Sequence, residues 1–262
     1  MYSAERRQEI LLLLQKKSRV SVDTLAAYFG VSRSSIRRDL SQLHEHGLLT
    51  RTYGGAVVLN GTGHSTASNS PGEAPFIERQ VANFAEKARI GRAAAQLVVE
   101  DETIFIDGGT TTECMLAYLV DKRITVVTYG LNIINRLSLY PHVTLIAIGG
   151  TLHRYSHTFS GVLALHSLDA YNIRYDKTFM AASGVSARAG ITNASLEEIP
   201  IKRKALEAGQ QNILLADASK IGTMRAGFIA PLRAAARLLT GCSAPAHEVE
   251  AIRAHNVIVE LV

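Results

Sequence analysis

Apolar residues near the N-terminus recur with the period of a helix. One set follows the i, i+3, i+4, i+7 spacing: Val22, Leu25, Ala26 and Phe29. Gly30 then stands where a helix commonly ends in a left-handed residue, and Ser32 is placed to cap a second helix. The apolar face of that second helix consists of Ile36, Leu40 and Leu43. The pattern predicts a helix-turn-helix over about residues 20–39.

The opposite face of the second helix is rich in arginine and serine. Its candidate DNA-binding residues are Ser32, Arg33, Ser34, Ser35, Arg37 and Arg38. A helix with an apolar back and a basic front suits the major groove of DNA. A third amphipathic helix precedes the motif, and a Gly54-Gly55 turn follows it, with Arg51 and Tyr53 beside the turn. We expect a winged helix-turn-helix whose wing contacts the DNA backbone or minor groove.

The domain organisation follows from composition. Residues 60–75 consist of Gly, Ser, Thr, Asn and Pro with almost no large apolar group, which predicts a linker. It separates a winged helix-turn-helix at 1–59 from a larger domain at 76–262. Residues 1–58 contain nine Lys or Arg against five Asp or Glu, which is most of the net charge of +5. A basic head on a near-neutral body is typical of a protein that binds a polyanion and has a second task.

The larger domain alternates short apolar strands with helices. The predicted strands cover 103–106, 124–128, 143–148, 177–183, 212–216, 238–240 and 256–261. The predicted helices cover 84–99, 112–120, 132–139 and 199–208. This order is typical of the α/β class with a mainly parallel, covered sheet. Ligands bind such sheets at the carboxyl ends of the strands.

Small polar residues gather at those predicted strand ends. The candidate effector-binding residues are Asp107, Gly108, Gly109, Thr110, Thr111, Thr112, Thr128, Gly149, Gly150, Ser183, Gly184, Glu198, Lys202 and Lys220. Glycine backbone and a following helix start favour an anion, while Asp107 is suited to a sugar hydroxyl. Lys202 and Lys220 add positive charge for a phosphate, although lysines on helices are commonly just solvated. We expect a crevice for a small phosphorylated, hydroxyl-rich molecule.

Other features narrow the class of protein. The apolar runs are too short for a membrane span, and the basic amphipathic start is not a secretory signal. Cys114 and Cys242 are expected to be reduced, mostly buried thiols of a cytoplasmic protein. His153 and His157 lie four residues apart without an evident third ligand, so we expect a polar loop near the effector site, no metal and no cofactor.

Several motifs in fixed order resemble the DeoR/GlpR family of bacterial sugar-metabolism regulators. The N-terminal motifs are Val31-Ser32, Ile36-Arg37-Arg38-Asp39-Leu40 and Arg51-Thr52-Tyr53-Gly54-Gly55-Ala56, and the C-terminal ones are IDGGTTTE at 106–113, IGG at 148–150, ASGV at 182–185 and LLADASKIG at 214–222. The resemblance implies a sensor related to ribose-5-phosphate isomerase and glucosamine-6-phosphate deaminase, whose phosphorylated sugar loosens DNA binding. Gly108 and Tyr129 depart from the family, which usually has Ser and Asn there.

Two functions remain open from the sequence. The first is a DNA-binding repressor of a carbohydrate or nucleoside operon, acting as a dimer or tetramer on paired half-sites and released by a sugar phosphate. The alternative is a sugar-phosphate isomerase with an accessory DNA-binding domain, which needs a positioned acid/base pair. Asp107, Glu198 and Asp217 are carboxylates available for that role, but the loop of Asp107 has neither a His nor a second carboxylate.

Overall fold

A computed structural model describes residues 6–7, 9–11, 13–14, 19–45, 49–57 and 74–262. The chain forms two compact units, Met1–Ser68 and Asn69–Val262. Most of the segment predicted as a linker, residues 60–73, lies outside the described residues, so its role remains a prediction.

The N-terminal unit is a small helical core closed by a β-sheet. The described residues between 6 and 14 are helical, and they are followed by β1 (Arg19–Ser21), α1 (Val22–Phe29), α2 (Arg33–Glu45), β2 (Thr50–Thr52) and β3 (Gly55–Val57). The strands pair antiparallel in the order β1-β3-β2. The sequence predicted the hairpin but not β1, which is only three residues long. The core is apolar and nearly solvent-free, with Ile10, Leu14, Val22, Leu25, Ile36, Leu40 and Leu43 all buried.

Local caps fix the ends of α1 and α2. The Ser21 hydroxyl accepts a hydrogen bond from the Thr24 amide at 3.0 Å, which satisfies one free N–H of the first turn. Gly30 closes α1 with φ of 64°, a left-handed conformation that favours glycine. The Ser32 hydroxyl accepts from the Ser35 amide at 3.2 Å and so caps α2. Ser21 and Gly30 therefore fix the two ends of α1, and Ser32 fixes the start of α2.

A buried ion pair holds the first helical segment against α2. Arg6 Nε donates to Asp39 Oδ2 at 2.6 Å, and both side chains are nearly inaccessible. Asp39 lies between the core residues and the basic face of α2, so this pair fixes how α2 sits in the unit.

The larger unit is built on a parallel sheet. Its strands are β4 (Thr103–Ile106), β5 (Ile124–Thr128), β6 (Val143–Ala147), β7 (Thr151–His153), β8 (Thr158–Ser160), β9 (Tyr175–Ala181), β10 (Gly184–Ser186), β11 (Gly190–Asn193), β12 (Gly209–Leu215), β13 (Gly227–Ala230), β14 (Arg237–Thr240) and β15 (Ile258–Leu261). Its helices are α3 (Phe76–Val81), α4 (Phe84–Gln96), α5 (Thr110–Glu113), α6 (Leu131–Leu137), α7 (Val162–Tyr171), α8 (Ile199–Ala208) and α9 (Ala246–Arg253). Seven strands pair in parallel in the order β15-β14-β12-β9-β4-β5-β6.

Alternate residues of the strands supply two cores. Ile104 and Ile106 of β4 pack on one side with residues of α4 and α6, whereas Phe105 packs on the other side with residues of α7, α8 and α9. Both faces are therefore covered, which explains why the strands are apolar throughout. This confirms the α/β class expected from the sequence.

Several elements differ from the sequence prediction. The helix expected over 112–120 is short, because α5 spans only Thr110–Glu113 and a 3₁₀ turn, Leu116–Tyr118, follows it. The pattern missed the hairpin β7–β8, the antiparallel sheet β10-β11-β13 and the helices α3, α7 and α9. The missed strands have three or four residues each, too few for a periodicity to stand out.

The strand order creates one switch point. From β4 the chain proceeds through β5 and β6 toward one edge, and it then returns to β9 on the other side of β4 and proceeds through β12, β14 and β15. Loops that leave neighbouring strands β4 and β9 consequently run in opposite directions. Open α/β sheets bind ligands in the crevice at that position, outside the carboxyl ends of the strands.

Replacing Asp39 by Asn should destabilise the N-terminal unit by about 3–5 kcal/mol, because it leaves the buried Arg6 charge without its partner. Hydrogen exchange of α2 amides in the full chain measures the loss. Asp23→Asn is the control, since the Asp23–Arg33 pair is 67% exposed on both sides and is expected to contribute under about 1 kcal/mol. Equal protection in both variants would contradict the role given to Asp39.

Candidate functional site

The residues predicted to bind DNA lie on one surface of the N-terminal unit. Arg33, Ser34, Arg37 and Arg38 are exposed on α2, opposite the buried Ile36 and Leu40. Arg33 pairs with Asp23 at 2.7 Å in solvent. The Ser32 hydroxyl shares hydrogen bonds with the hydroxyls of Ser34 (2.8 Å) and Ser35 (3.0 Å), which orders the start of the helix.

The wing is tied to α2 by a chain of hydrogen bonds. Arg51 Nη1 donates to the Ser41 hydroxyl at 3.0 Å, and that hydroxyl donates to the Arg37 carbonyl oxygen at 2.9 Å. Tyr53 is fully exposed next to Gly54, whose φ of 89° makes the turn. The wing and the basic face of α2 therefore form a continuous exposed surface with positive charge.

A pocket lies at the switch point of the larger unit. It encloses about 470 Å³ of empty space, including its solvent-filled mouth. Its walls come from the loops after β4, β9 and β12 together with α3, α4, α8 and the β7–β8 turn. The lining residues are Arg79, Lys87, Asp107, Gly108, Gly109, Thr110, Thr111, Ser156, Thr158, Ala181, Ala182, Ser183, Asn193, Glu198, Lys202, Asp217 and Lys220.

Asp107 and Lys202 form a buried ion pair in this pocket. Lys202 Nζ donates to Asp107 Oδ1 at 2.6 Å and to the Ala181 carbonyl oxygen at 2.9 Å, and both side chains are 2% exposed. The Tyr129 hydroxyl donates to the same Oδ1 at 2.5 Å, and the Gly109 amide donates to Oδ2 at 3.1 Å. Lys202 is thus a buried partner of Asp107 and not one of the solvated lysines common on helices.

This network positions the glycine loop. The Asp107 oxygens accept three hydrogen bonds from within the protein, which hold the carboxylate and the loop together. The Gly109 amide is used in the same network. A Cβ at Gly108 would lie 2.6 Å from Thr158 Cγ2 and 3.0 Å from Gly130 Cα, so a side chain there would require the neighbouring loops to shift.

Glu198 accepts hydrogen bonds from two other residues that line the pocket, Thr158 and Asn193. Its Oε1 accepts from the Thr158 hydroxyl at 3.1 Å, and its Oε2 accepts from Asn193 Nδ2 at 3.1 Å. The Ser183 hydroxyl donates to Asn193 Oδ1 at 3.1 Å. Carboxylate, amide and hydroxyl groups therefore converge on this wall of the pocket, joined by hydrogen bonds to one another.

Two basic residues of the pocket were missed from the sequence. Arg79 lies on α3, a helix that the pattern did not predict. Lys87 is 3% exposed, and its ammonium donates to the Arg79 carbonyl oxygen and to the Thr110 hydroxyl at 3.1 Å. A signal for Lys87 was present, because it lies three, four and seven residues before Ile90, Gly91 and Ala94 on the buried face of α4.

Five residues of the predicted effector set do not line the pocket: Thr112, Thr128, Gly149, Gly150 and Gly184. The Thr112 hydroxyl donates to the carbonyl oxygens of Asp107 and Gly109, and the Thr128 hydroxyl accepts from the Gly130 amide. A Cβ at Gly150 would lie 2.5 Å from the Ser160 carbonyl oxygen, and one at Gly184 would lie 2.6 Å from that of Thr223. Thr112, Thr128, Gly150 and Gly184 therefore support the packing of the loops instead of lining the pocket.

His157 packs against an aromatic ring, and the two cysteines differ in their exposure. His157, in the β7–β8 turn, stacks on Phe76 with ring centroids 4.4 Å apart, and burial lowers its pKa, with the Arg79 charge adding to the effect. Across the described chain, His, Cys, Asp and Glu side chains form no group of three that suits a metal ion. Cys114 is half-buried, whereas Cys242 is exposed, so the expectation of two mostly buried thiols was wrong for Cys242.

A basic winged helix-turn-helix combined with an α/β unit that carries a charged pocket defines a DNA-binding regulator with a ligand-sensing domain. Residues 6–62 match the family described as "DeoR-like helix-turn-helix domain", and residues 82–241 match "DeoR C terminal sensor domain". The chain belongs to the DeoR family of transcriptional regulators. The matched families and relatives are regulators and not enzymes, so the isomerase alternative is set aside.

Two relatives align with nearly the whole length of this chain. The chain is 32% identical to the HTH-type transcriptional regulator YulB of Bacillus subtilis, over 100% of the chain and 98% of the relative. It is 30% identical to the putative aga operon transcriptional repressor of Escherichia coli O157:H7, over 99% of the chain and 94% of the relative.

Among solved structures, ribose 5-phosphate isomerase A from Methanocaldococcus jannaschii aligns with 53% of this chain and 55% of its own, at 16% identity and a TM-score of 0.39. None of the helices in the described ranges has the length and apolar character needed to cross a membrane.

Replacing Lys202 by Met should destabilise the larger unit by about 3–5 kcal/mol, because Asp107 then remains buried without its cation. The free energy of unfolding is measured by urea denaturation of the full chain. Lys204→Met on the same helix is the matched control, since the side chains of the Lys204–Asp169 pair are 37% and 57% exposed and the pair is expected to contribute under about 1 kcal/mol. A Lys202 variant as stable as the control would show that the buried pair does not hold the pocket together.

Proposed function

We propose that the protein represses a carbohydrate or nucleoside catabolic operon and that a phosphorylated sugar in the pocket releases it from DNA. The observation that carries the proposal is the pocket lining. Four basic side chains and three carboxylates share it with the hydroxyls of Ser156, Thr158 and Ser183 and the amide of Asn193. Such a lining supplies cations for a phosphate and acceptors for several hydroxyls.

The relatives support the same class of ligand. One is named the glycerol-3-phosphate regulon repressor of Escherichia coli K12, and it is 28% identical over the full length of both chains. Glycerol 3-phosphate is itself a small phosphorylated polyol. This name and that of the aga operon repressor both describe a repressor of metabolic genes. We extend to this chain the role of a repressor linked to the metabolism of a small polar carbon source.

On DNA, α2 lies in the major groove and the wing contacts the adjacent backbone. Arg33, Ser34 and Ser35 are near the base edges, while Arg37, Arg38 and Arg51 contact phosphates. Helix-turn-helix proteins commonly read two half-sites, so the acting form is a homodimer or homotetramer that pairs two winged helices. The protein therefore acts in the compartment that contains the chromosome, the cytoplasm of a bacterial cell.

Replacing Arg37 or Arg38 by Ala should weaken operator binding and reduce the slope of log affinity against log salt by about 0.9 for each lost phosphate contact. Fluorescence anisotropy with operator DNA at several salt concentrations measures both quantities. Arg89→Ala on the exposed face of α4 is the charge-matched control and is expected to bind like wild type. Wild-type slopes in both α2 variants would exclude this docking.

A sugar phosphate that binds the pocket should raise the melting temperature and lower operator affinity. A coupling free energy of about 1–3 kcal/mol is typical and corresponds to a loss of roughly 5- to 150-fold. The experiment screens pentose and hexose phosphates by thermal shift and then titrates the stabilising compounds into the operator complex. The unphosphorylated sugars are the controls. Stabilisation without any change in operator affinity would separate binding from regulation and overturn the proposal.

A further inference from the structure

The backbone of the wing is attached to the rest of the N-terminal unit at several points. Strand β3 pairs antiparallel with both β1 and β2. The Val22 amide, at the start of α1, donates to the Gly54 carbonyl oxygen in the wing turn at 2.8 Å. His44 Nδ1, in the last turn of α2, donates to the Leu49 carbonyl oxygen just before β2 at 3.1 Å. These contacts fix the path of the wing without using the side chain of Arg51.

The side chain of Arg51 has a separate contact with α2. Its Nη1 donates to the Ser41 hydroxyl at 3.0 Å. The single proton of that hydroxyl is donated to the Arg37 carbonyl oxygen at 2.9 Å, one helical turn earlier. The lone pairs of the Ser41 oxygen are therefore left to accept, and a guanidinium can only donate. Ser41 thus holds the end of the Arg51 side chain beside the exposed face of α2.

This contact leaves most of the guanidinium available to DNA. A guanidinium carries five N–H donors, and the Ser41 hydroxyl accepts a hydrogen bond from one of them. Arg51 is exposed, as are Arg37 and Arg38 on α2, whereas Ser41 is half-buried. A phosphate that approaches this surface can therefore accept hydrogen bonds from other N–H groups of Arg51 while the bond to Ser41 remains in place.

We propose that Ser41 is a positioning residue for DNA binding, which holds the Arg51 guanidinium in the orientation that contacts a phosphate. The inference rests on the docking proposed above and deepens it, because it assigns a role in DNA affinity to a residue that acts through Arg51. A long side chain loses conformational freedom when an interface immobilises it, and this loss weakens binding. Arg51 loses part of that freedom when the unit folds, so less is lost when it binds DNA.

Replacing Ser41 by Ala removes this contact and leaves every charge of the unit in place. Alanine has the highest helix propensity, and a serine hydroxyl bonded to the carbonyl four residues earlier does not stabilise a helix. The attachments of the wing at Gly54 and Leu49 also remain. Ser41→Thr keeps a hydroxyl at the same position, and threonine in a helix can also donate to the carbonyl four residues earlier. We therefore expect Ser41→Ala to change DNA binding and not folding.

The test is a double-mutant cycle between Ser41 and Arg51 in the full chain. Fluorescence anisotropy measures binding to a duplex that the wild-type protein has enriched from a random-sequence DNA library. Ser41→Ala should bind about 2- to 12-fold more weakly than wild type, and Ser41→Thr should bind nearly as well as wild type. Arg51→Ala should lower the affinity and reduce the salt slope by about 0.9. Adding Ser41→Ala to Arg51→Ala should cause no further loss, because no guanidinium is left to hold.

Two comparisons separate positioning from a merely structural role. Ser167→Ala is the matched control, because the Ser167 hydroxyl donates to the Leu163 carbonyl oxygen at 2.9 Å, also four residues earlier, on a helix of the larger unit. It should bind DNA like wild type. Hydrogen exchange of the α2 amides should be the same in Ser41→Ala and in wild type.

Three results would overturn the role of Ser41. An equal loss from Ser41→Ala with and without Arg51 would show that the serine acts on the helix itself. Wild-type affinity in Ser41→Ala, together with a loss in Arg51→Ala, would refute the positioning role and leave the docking intact. Wild-type affinity and salt slope in Arg51→Ala would refute the proposed wing contact, and the role of Ser41 with it.

Discussion

The buried Asp107–Lys202 pair is the interaction on which the pocket depends. Lys202 comes from α8 and reaches both the Asp107 carboxylate after β4 and the Ala181 carbonyl oxygen at the end of β9. It thus joins the two central strands at the switch point to a helix that covers one face of the sheet. Burying two charges is unfavourable. The Tyr129 hydroxyl and the Gly109 amide offset part of this free energy because both donate hydrogen bonds to the Asp107 carboxylate. These hydrogen bonds fix the conformation of the loop that follows β4.

The same pair explains the departure from the family at Tyr129. Burial raises the pKa of the Tyr129 phenol well above its usual value, and the negative charges of Asp107 and Glu198 add to the shift, so the phenol stays protonated and donates. Its ring packs beside Phe105 in the core, with centroids 6.0 Å apart, and it does not line the pocket. Tyr129 therefore supports Asp107 from the side of the core.

The sequence predicted what is local and strongly patterned. The strands at 103–106 and 124–128 and the helix at 199–208 have the bounds that were expected, because β-branched runs and helical periodicity are clear there. The bond between Asp107 and Lys202 has no local signal, since 95 residues separate them. The sheet β10-β11-β13 also depends on distant pairing, and its short strands carry glycine and polar residues. The sequence predicted the loops that surround the pocket. It did not predict which polar atoms of these loops form hydrogen bonds within the protein.

Lys87 shows how the missing part of the site could be recognised. A lysine on the buried face of an amphipathic helix conflicts with the pattern around it, and such a conflict is expected at functional sites. Among the described residues, neutral acceptors take the hydrogen bonds of its ammonium, and the charge of Asp217 opposes the effect of burial on its pKa. The unfavourable burial of its charge is offset elsewhere in the unit, in particular by the large apolar cores on both faces of the sheet.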